Sequence, residues 1–197
     1  MWHCSFFTIP FCLVLFLFSL HRTGSPIVNA LSIDLINTTC KHCSDKSTTF
    51  NFDFCLTSLQ PIPISHVTNL QGLALVAMEL ALENTTDTMS SIENMLKSGE
   101  FDPFALRCLK DCLELYGEGV PMLANSIGAF LAEQYDAAKL LLSVVMEEAS
   151  TCEDGFVEEE GEASPLTKEN SDLFQLVDIA ACIVDSITFD SKVLLNR

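Results

Sequence analysis

Apolar residues recur every three or four positions through most of the chain, and polar breaks divide the recurrences into separate runs. The longest pair of runs spans Phe101 to Glu159. Its first half carries Leu106, Leu109, Leu113, Leu115, Met122, Leu123, Ile127 and Phe130. Its second half carries Tyr135, Ala138, Leu141, Leu142, Val145, Ala149, Cys152 and Phe156. This spacing places one apolar stripe on each of two helices. A tight turn near Ala132 and Glu133 makes them antiparallel neighbours. An earlier run, Ser65 to Ser98, has its stripe at Val67, Leu70, Leu73, Ala74, Ala77, Leu80 and Ala81, resumed by Ile92, Met95 and Leu96. Gly99 ends it, and Asp102-Pro103 supplies an N-cap and a first-turn proline for the next helix. The final run has Thr167 as its N-cap, Glu169 in its first turn, and Phe174, Val177, Ala181, Val184 and Ile187 on its apolar face.

Leu31 to Leu59 reads differently. Ile33, Leu35 and Ile36 precede Cys40, while Phe50, Phe52, Phe54, Leu56 and Leu59 surround Cys55, with a polar, turn-like Lys41 to Thr49 between them. Two short helices folded as a hairpin are predicted, followed by Gln60-Pro-Ile-Pro-Ile64 as a stiff link. No alternating strand pattern occurs. The prediction is an all-α, disulfide-stabilised, antiparallel four-helix bundle over 65–197, with an N-terminal helical hairpin extension over 31–64.

Two stretches interrupt the regular pattern. Gly117, Gly119 and Pro121 fall inside the second bundle helix, where proline removes a backbone bond and costs about 3 kcal/mol in a straight helix. A kink or local unwinding is predicted over Tyr116 to Pro121. Beyond the third helix, Glu158-Glu-Glu-Gly-Glu162 forms an acidic exit loop that lacks the oxygen-ligand spacing of a calcium site.

Phe6 to Leu20 is almost continuously apolar and is followed by His21-Arg22 and small residues. It is too short for a confident membrane span and suits a secretory signal. Val28-Asn29-Ala30 places cleavage after Ala30, with Gly24 as the alternative. Secretion implies oxidising conditions, so pairing of the remaining cysteines is expected. Cys4 and Cys12 leave with the leader, and of the nine cysteines seven remain. That odd number leaves at least one thiol unpaired within the chain. Cys112 and Cys152 each lie 20 residues from Ala132 (132 − 112 and 152 − 132), so they reach the same height, about 30 Å from the turn, on facing helices. A disulfide between them is predicted. Cys108, one turn further down, misses that height. Cys55 pairs with Cys40 in the economical reading, with Cys43 as the alternative. Cys182 is read as a buried thiol behaving as a small hydrophobe. Zinc at Cys40-x-x-Cys43 lacks two further ligands at matching spacing.

The chain has 10 Lys+Arg against 27 Asp+Glu. With Arg22 gone, the mature charge is 9 − 27 = −18. This argues against nucleic acid or an anionic membrane as partner. The mature chain has two histidines, His42 and His66, and no nucleophile elbow, phosphate loop, metal-binding histidine pair or cofactor fingerprint. Asn37-Thr-Thr and Asn84-Thr-Thr match the N-glycosylation acceptor pattern. The residues favour a rigid, disulfide-held binding module.

Thr39-Cys40-Lys41, Asn51-Phe-Asp-Phe-Cys55, Asp111-Cys112-Leu-Glu-Leu-Tyr116, Thr151-Cys-Glu-Asp-Gly-Phe156 and Ser164-Pro-Leu-Thr-Lys-Glu-Asn170 follow one another in order. The ordered set resembles the plant invertase/pectin methylesterase inhibitor family, most of all its plane-pollen-allergen branch, over Leu31 to Leu195. The resemblance implies an up-and-down bundle, the hairpin extension and two disulfides, by position Cys40–Cys55 and Cys112–Cys152. Some members carry an unpaired cysteine in the last helix, as Cys182 would be. Cys43 and Cys108 are extra, to pair with each other or with another chain.

The resemblance also implies a secreted, apoplastic monomer that needs no cofactor. Such a protein blocks a cell-wall or vacuolar carbohydrate enzyme by stoichiometric docking. Pectin methylesterase inhibitors lay their helices across the pectin cleft. Cell-wall invertase inhibitors use a Pro-Lys-Phe motif at the turn between the second and third bundle helices. Here that turn reads Glu133-Gln-Tyr-Asp136, which leans the expected target to pectin methylesterase over invertase. Candidate contacts, chosen for exposure near the kink and the turn, are Tyr116, Gln134, Tyr135 and Asp136. A secreted ligand carrier and an allergen-like protein without an enzyme target are the competing readings.

Overall fold

The computed structural model describes residues 26–157 and 163–195, with side chains over 35–157 and 163–189. The leader read in residues 1–30 lies almost wholly outside them, as does the acidic run Glu158 to Glu162. The elements are α1 (Pro26–Ser44), α2 (Phe52–Leu59), a 3₁₀ turn (Pro63–His66), α3 (Leu70–Ser98), α4 (Pro103–Leu131), α5 (Tyr135–Val157) and α6 (Thr167–Leu195). Helices α3 to α6 form the bundle, in which α4 packs on α3 and α5, and α6 on α3 and α5. The extension lies outside it: α1 packs on α2 and α6, and α2 also reaches α3 and α6. All described residues in elements are helical, and the all-α class follows.

The helix ends show why the chain breaks where it does. Asn51 starts α2 by accepting the Phe54 N–H at 2.9 Å. Asp102 starts α4 by accepting from the Phe104 and Ala105 N–H groups, with Pro103 in the first turn. Gly99 ends α3 in the left-handed region at φ 71°, a conformation that glycine adopts without side-chain strain. The core beneath is built from the expected stripes, with Leu73, Ala77, Leu109, Leu123, Leu142, Phe156, Val177 and Val184 all buried.

Three boundaries differ from the sequence reading. The helix of α1 continues through Lys41 to Ser44, so the turn is shorter than Lys41 to Thr49. Lys41 and His42 in that last turn complement the negative end of the helix dipole. The first bundle helix begins at Leu70, because Asn69 caps it by accepting the Gly72 N–H at 3.0 Å. The chain before it is occupied by the 3₁₀ turn, and Val67 is left 63% exposed rather than joining the stripe. At α6, Thr167 is the first helical residue and not the cap. Its hydroxyl donates to Glu153 at 2.6 Å, and Ser164 Oγ instead accepts the Leu166 N–H at 3.1 Å.

The predicted unwinding at Tyr116 to Pro121 does not occur: α4 is helical from Pro103 to Leu131. Pro121 deletes the bond its nitrogen would have made to the Gly117 carbonyl. The helix holds because the flanking turns are pinned by packing. Tyr116, Gly119 and Leu123 are all buried against the neighbouring helices.

Three disulfides tie the elements. Cys40–Cys55 joins α1 to α2 (Cα–Cα 5.5 Å), and Cys112–Cys152 joins α4 to α5 (4.9 Å). The third corrects the reading of Cys182 as a buried thiol and of Cys43 as a partner for Cys108. Cys43 and Cys182 bond to each other, fastening α1 to α6 with their Cα atoms 5.8 Å apart. Cys40 and Cys43 are three residues apart, so they point roughly 60° from one another around α1. One therefore faces α2 while the other faces the bundle. Cys108 stays outside the three disulfides, and its buried thiol donates to the Gly155 carbonyl at 3.3 Å.

Candidate functional site

The turn between α4 and α5 offers the most accessible group of the proposed contact residues. Its shape comes from backbone bonds that close the end of α4: the Glu133 N–H donates to Phe130 O at 3.0 Å, and the Gln134 N–H to Ala129 O at 2.9 Å. That pair of bonds requires a left-handed residue at the reversal. Glu133 takes this role at φ 58°, where glycine is usual. Gln134 and Asp136 project into solvent, and Leu131 beside them is 65% exposed. Tyr135 is half-buried, its ring edge-on to Phe130 at 5.5 Å between centroids. The base of the turn is anchored by Lys139, which donates to Asp185 on α6 at 2.6 Å and lies 3.7 Å from Asp136. Lys139 is held above the usual lysine range, first by the Asp185 hydrogen bond and then by the charges of Asp185 and Asp136. Leu140 and Val144 continue the exposed face along α5. The result is a fixed projection with apolar, amide and acidic groups side by side.

Tyr116 does not belong to this surface. It was chosen for exposure, yet it is 1% exposed and lies 15 residues down α4 from Leu131, about 22 Å away at helical rise. Its hydroxyl donates to Asn170 Oδ1 at 2.7 Å. Asn170 Nδ2 in turn donates to Glu153 Oε2 at 2.7 Å, and Glu153 Oε1 accepts from Thr167. This relay crosses α4, α6 and α5 in the lower half of the bundle. Burial pushes the phenol well above the ordinary tyrosine range, and the carboxylate of Glu169 adds to it, so the ring stays a donor. Tyr116→Phe would leave the Asn170 oxygen without its donor. A loss of about 1–2 kcal/mol in urea unfolding is expected, with the α4–α5 turn undisturbed.

Two features of the interior had no place in the sequence reading. Glu148 of α5 is 8% exposed, and its Oε2 has no hydrogen-bond partner. A Cβ at Gly119 would sit 2.8 Å from that oxygen, so the glycine leaves the space the carboxyl occupies. Glu148 sits three residues after Val145 and four before Cys152, within the buried stripe, and that register was the available signal. The Asn170 relay had no comparable signal, because its members come from three separate helices.

The glycosylation candidates sit on helices. Asn37 is half-buried in α1. Asn84 is half-buried in α3, with its amide oxygen shielded from solvent and lacking a hydrogen-bond partner. His66 Nε2–H donates to the Gln60 carbonyl at 2.7 Å and so fastens the 3₁₀ turn. Among the described residues no group of three or more His, Cys, Asp or Glu is placed to hold a metal ion. Among them, too, no helix is long and apolar enough to cross a membrane.

The family pattern of the plant invertase/pectin methylesterase inhibitors matches residues 34–183, which takes in both halves of the extension and almost the whole bundle. The chain belongs to that family. Its members are proteinaceous inhibitors of carbohydrate-active enzymes and not catalysts. A relative from Platanus acerifolia named "Putative invertase inhibitor" is 35% identical over 175 residues, covering 89% of this inhibitor-family chain and 96% of its own. The Arabidopsis thaliana "Cell wall / vacuolar inhibitor of fructosidase 2" is 25% identical over 177 residues, covering 88% of this chain and 95% of its own. A crystal structure of a mutant form of a pectin methylesterase inhibitor from Arabidopsis covers 76% of this chain and 96% of that one. It superposes with a TM-score of 0.65 at 21% identity, a likeness of fold.

Proposed function

We propose that the protein is a secreted inhibitor that docks as a rigid body over the substrate cleft of pectin methylesterase, one molecule to one enzyme. The observation that carries this reading is the α4–α5 turn. It is exposed and backbone-locked, and it presents Gln134, Tyr135 and Asp136 where the invertase-directed motif would stand. Preorganisation of this kind lowers the ordering cost of binding. The extracellular, cell-wall setting rests on the leader-like N-terminus, the three disulfides and the family. Asn37 and Asn84 are the proposed glycan acceptors, and the inhibitor acts as a monomer. A second reading, inhibition of an acid invertase, is favoured by the name of the 35%-identical Platanus relative.

The test titrates the oxidised protein into pectin methylesterase and, separately, into acid invertase at mildly acidic pH. Stoichiometric loss of pectin methylesterase activity is the expected result, with invertase unaffected. Asp136→Lys combined with Gln134→Ala should weaken inhibition by about tenfold, the worth of roughly 1.4 kcal/mol of contact. Tyr116→Phe, buried far from the turn, should inhibit normally. Inhibition of invertase alone would transfer the reading to that target, and inhibition of neither enzyme would remove both.

A further inference from the structure

A cleft of about 400 Å³ opens between the extension and the bundle, at the same end of the bundle as the α4–α5 turn, whose Lys139 reaches Asp185 beside the cleft residue Ser186. Leu35 of α1, Leu70 of α3 and Phe189 of α6 form its apolar walls. His42 and Lys46 stand on its α1 side, and Ser186 on its α6 side. Phe189 is 68% exposed, so its ring is accessible to a ligand in the cleft. The Cys43–Cys182 bond joins the two helices that flank the cleft, α1 and α6. His42 precedes Cys43 and Lys46 follows one turn later, while Ser186 lies one turn and Phe189 two turns beyond Cys182.

The basic side chains select the ligand. The chain carries 27 acidic and 10 Lys+Arg side chains, yet among the described lining residues the ionisable ones are Lys46 and His42. Lys41 nearby is engaged by Asp45 at 3.5 Å, whereas Lys46 and His42 face the opening. A mostly apolar space with a few convergent donors is the usual composition of a small-molecule site, and its volume lies in the range of roughly 300–1,000 Å³ typical of one. At about 30 Å³ per water-sized group, it holds about a dozen methylene-sized units.

We propose that this cleft binds a medium-chain fatty acid, the alkyl chain lying between Leu35, Leu70 and Phe189 and the carboxylate meeting Lys46 and His42. The anion meets the two basic side chains of the lining, and the alkyl chain covers the exposed ring. None of the cleft's lining residues belongs to the turn proposed to dock on the enzyme, and the binding measurement contains no enzyme, so its failure is distinguishable from failure of the inhibitor reading.

The experiment titrates decanoate, below its aggregation concentration, into the disulfide-bonded protein by calorimetry, with amide chemical shifts recorded alongside. Saturable one-to-one binding is expected, with shifts concentrated around His42, Lys46 and Ser186. Decanol of equal length should bind at least fivefold more weakly, and Lys46→Glu should lose a similar factor for decanoate. Ser186→Trp, which fills the space from a half-buried position on the cleft wall, should abolish binding while the circular dichroism spectrum is retained. Phe189→Ala, at an exposed position, is the second variant and should weaken binding severalfold. Non-saturable uptake, equal affinity for decanol, or binding that survives both Ser186→Trp and Lys46→Glu would overturn the proposal.

Discussion

Replacing Cys43 and Cys182 together by alanine is expected to destabilise the protein by about 3–5 kcal/mol, more than removal of either other disulfide. The bond closes 139 residues of sequence, of which the Cys112–Cys152 bond short-circuits 40 and the Cys40–Cys55 bond a further 9, leaving an effective loop of 90 (139 − 40 − 9). For a loop of that length the chain-entropy account gives about 4.7 kcal/mol, against about 3 for one the size of Cys40–Cys55. Among the described residues, hydrogen bonds between the extension and α6 centre on Asp178. Asp178 accepts from Ser47 Oγ at 2.6 Å and from the hydroxyl of Thr49, both at the edge of the interface. The doubly substituted protein should therefore unfold at lower urea under oxidising conditions. Amide exchange should accelerate first in α1 and α2, because the bundle core survives the opening. A loss below about 1 kcal/mol, with α1 still protected, would mean that packing alone holds the extension.

The ordering of these bonds shows which kind of information the sequence carries. The Cys112–Cys152 rung was readable because both cysteines sit on one helical hairpin, where counting from the turn gives their height. The caps at Asp102 and the terminator at Gly99 were readable for the same local reason. Cys43–Cys182 was not. Its geometry depends on how the extension lies against a helix that follows more than a hundred residues later, and on which way Cys43 points once Cys40 has turned toward α2. The unwinding expected at Pro121 errs in the opposite sense: the helix stays continuous despite a local penalty of about 3 kcal/mol, with Tyr116, Gly119 and Leu123 buried on either side. Tyr116 shows the limit for a site. Polar character near a suspected break suggested exposure, whereas its hydroxyl donates inside the bundle to Asn170, which in turn donates to Glu153. Gln134 lies in the α4–α5 turn, and Tyr135 and Asp136 open α5, with Tyr135 half-buried rather than exposed. Whether such a turn binds anything depends on a partner's surface, which a single chain does not encode.

Glu148→Gln should raise stability at about pH 8 by about 2–3 kcal/mol and leave it nearly unchanged at about pH 4. Burial, followed by the like charge of Glu118 on α4, pushes the Glu148 carboxyl up to about 7 from an ordinary 4.5. An acid whose folded value is raised contributes its full stability below the unfolded value, and that contribution is lost as pH rises through the folded value. The window is therefore about pH 4.5 to 7: unfolding releases a proton the native state retains, so wild-type stability falls as the solution becomes neutral. The shift corresponds to about 3 kcal/mol at 1.36 kcal/mol per unit, an upper figure because the carboxyl can swing outward. Gly119 lets it stay in, and Thr85 on α3 closes the far side of the glycine at 3.7 Å from the same Cβ position. Neutral glutamine keeps the shape without the charge. Glu147→Gln is the control, since Glu147 is exposed one residue away and should leave the pH profile unaltered. Unfolding free energies measured in urea across this pH range decide the matter: a Glu148→Gln profile parallel to the wild type would show that the carboxyl is not held as a buried acid.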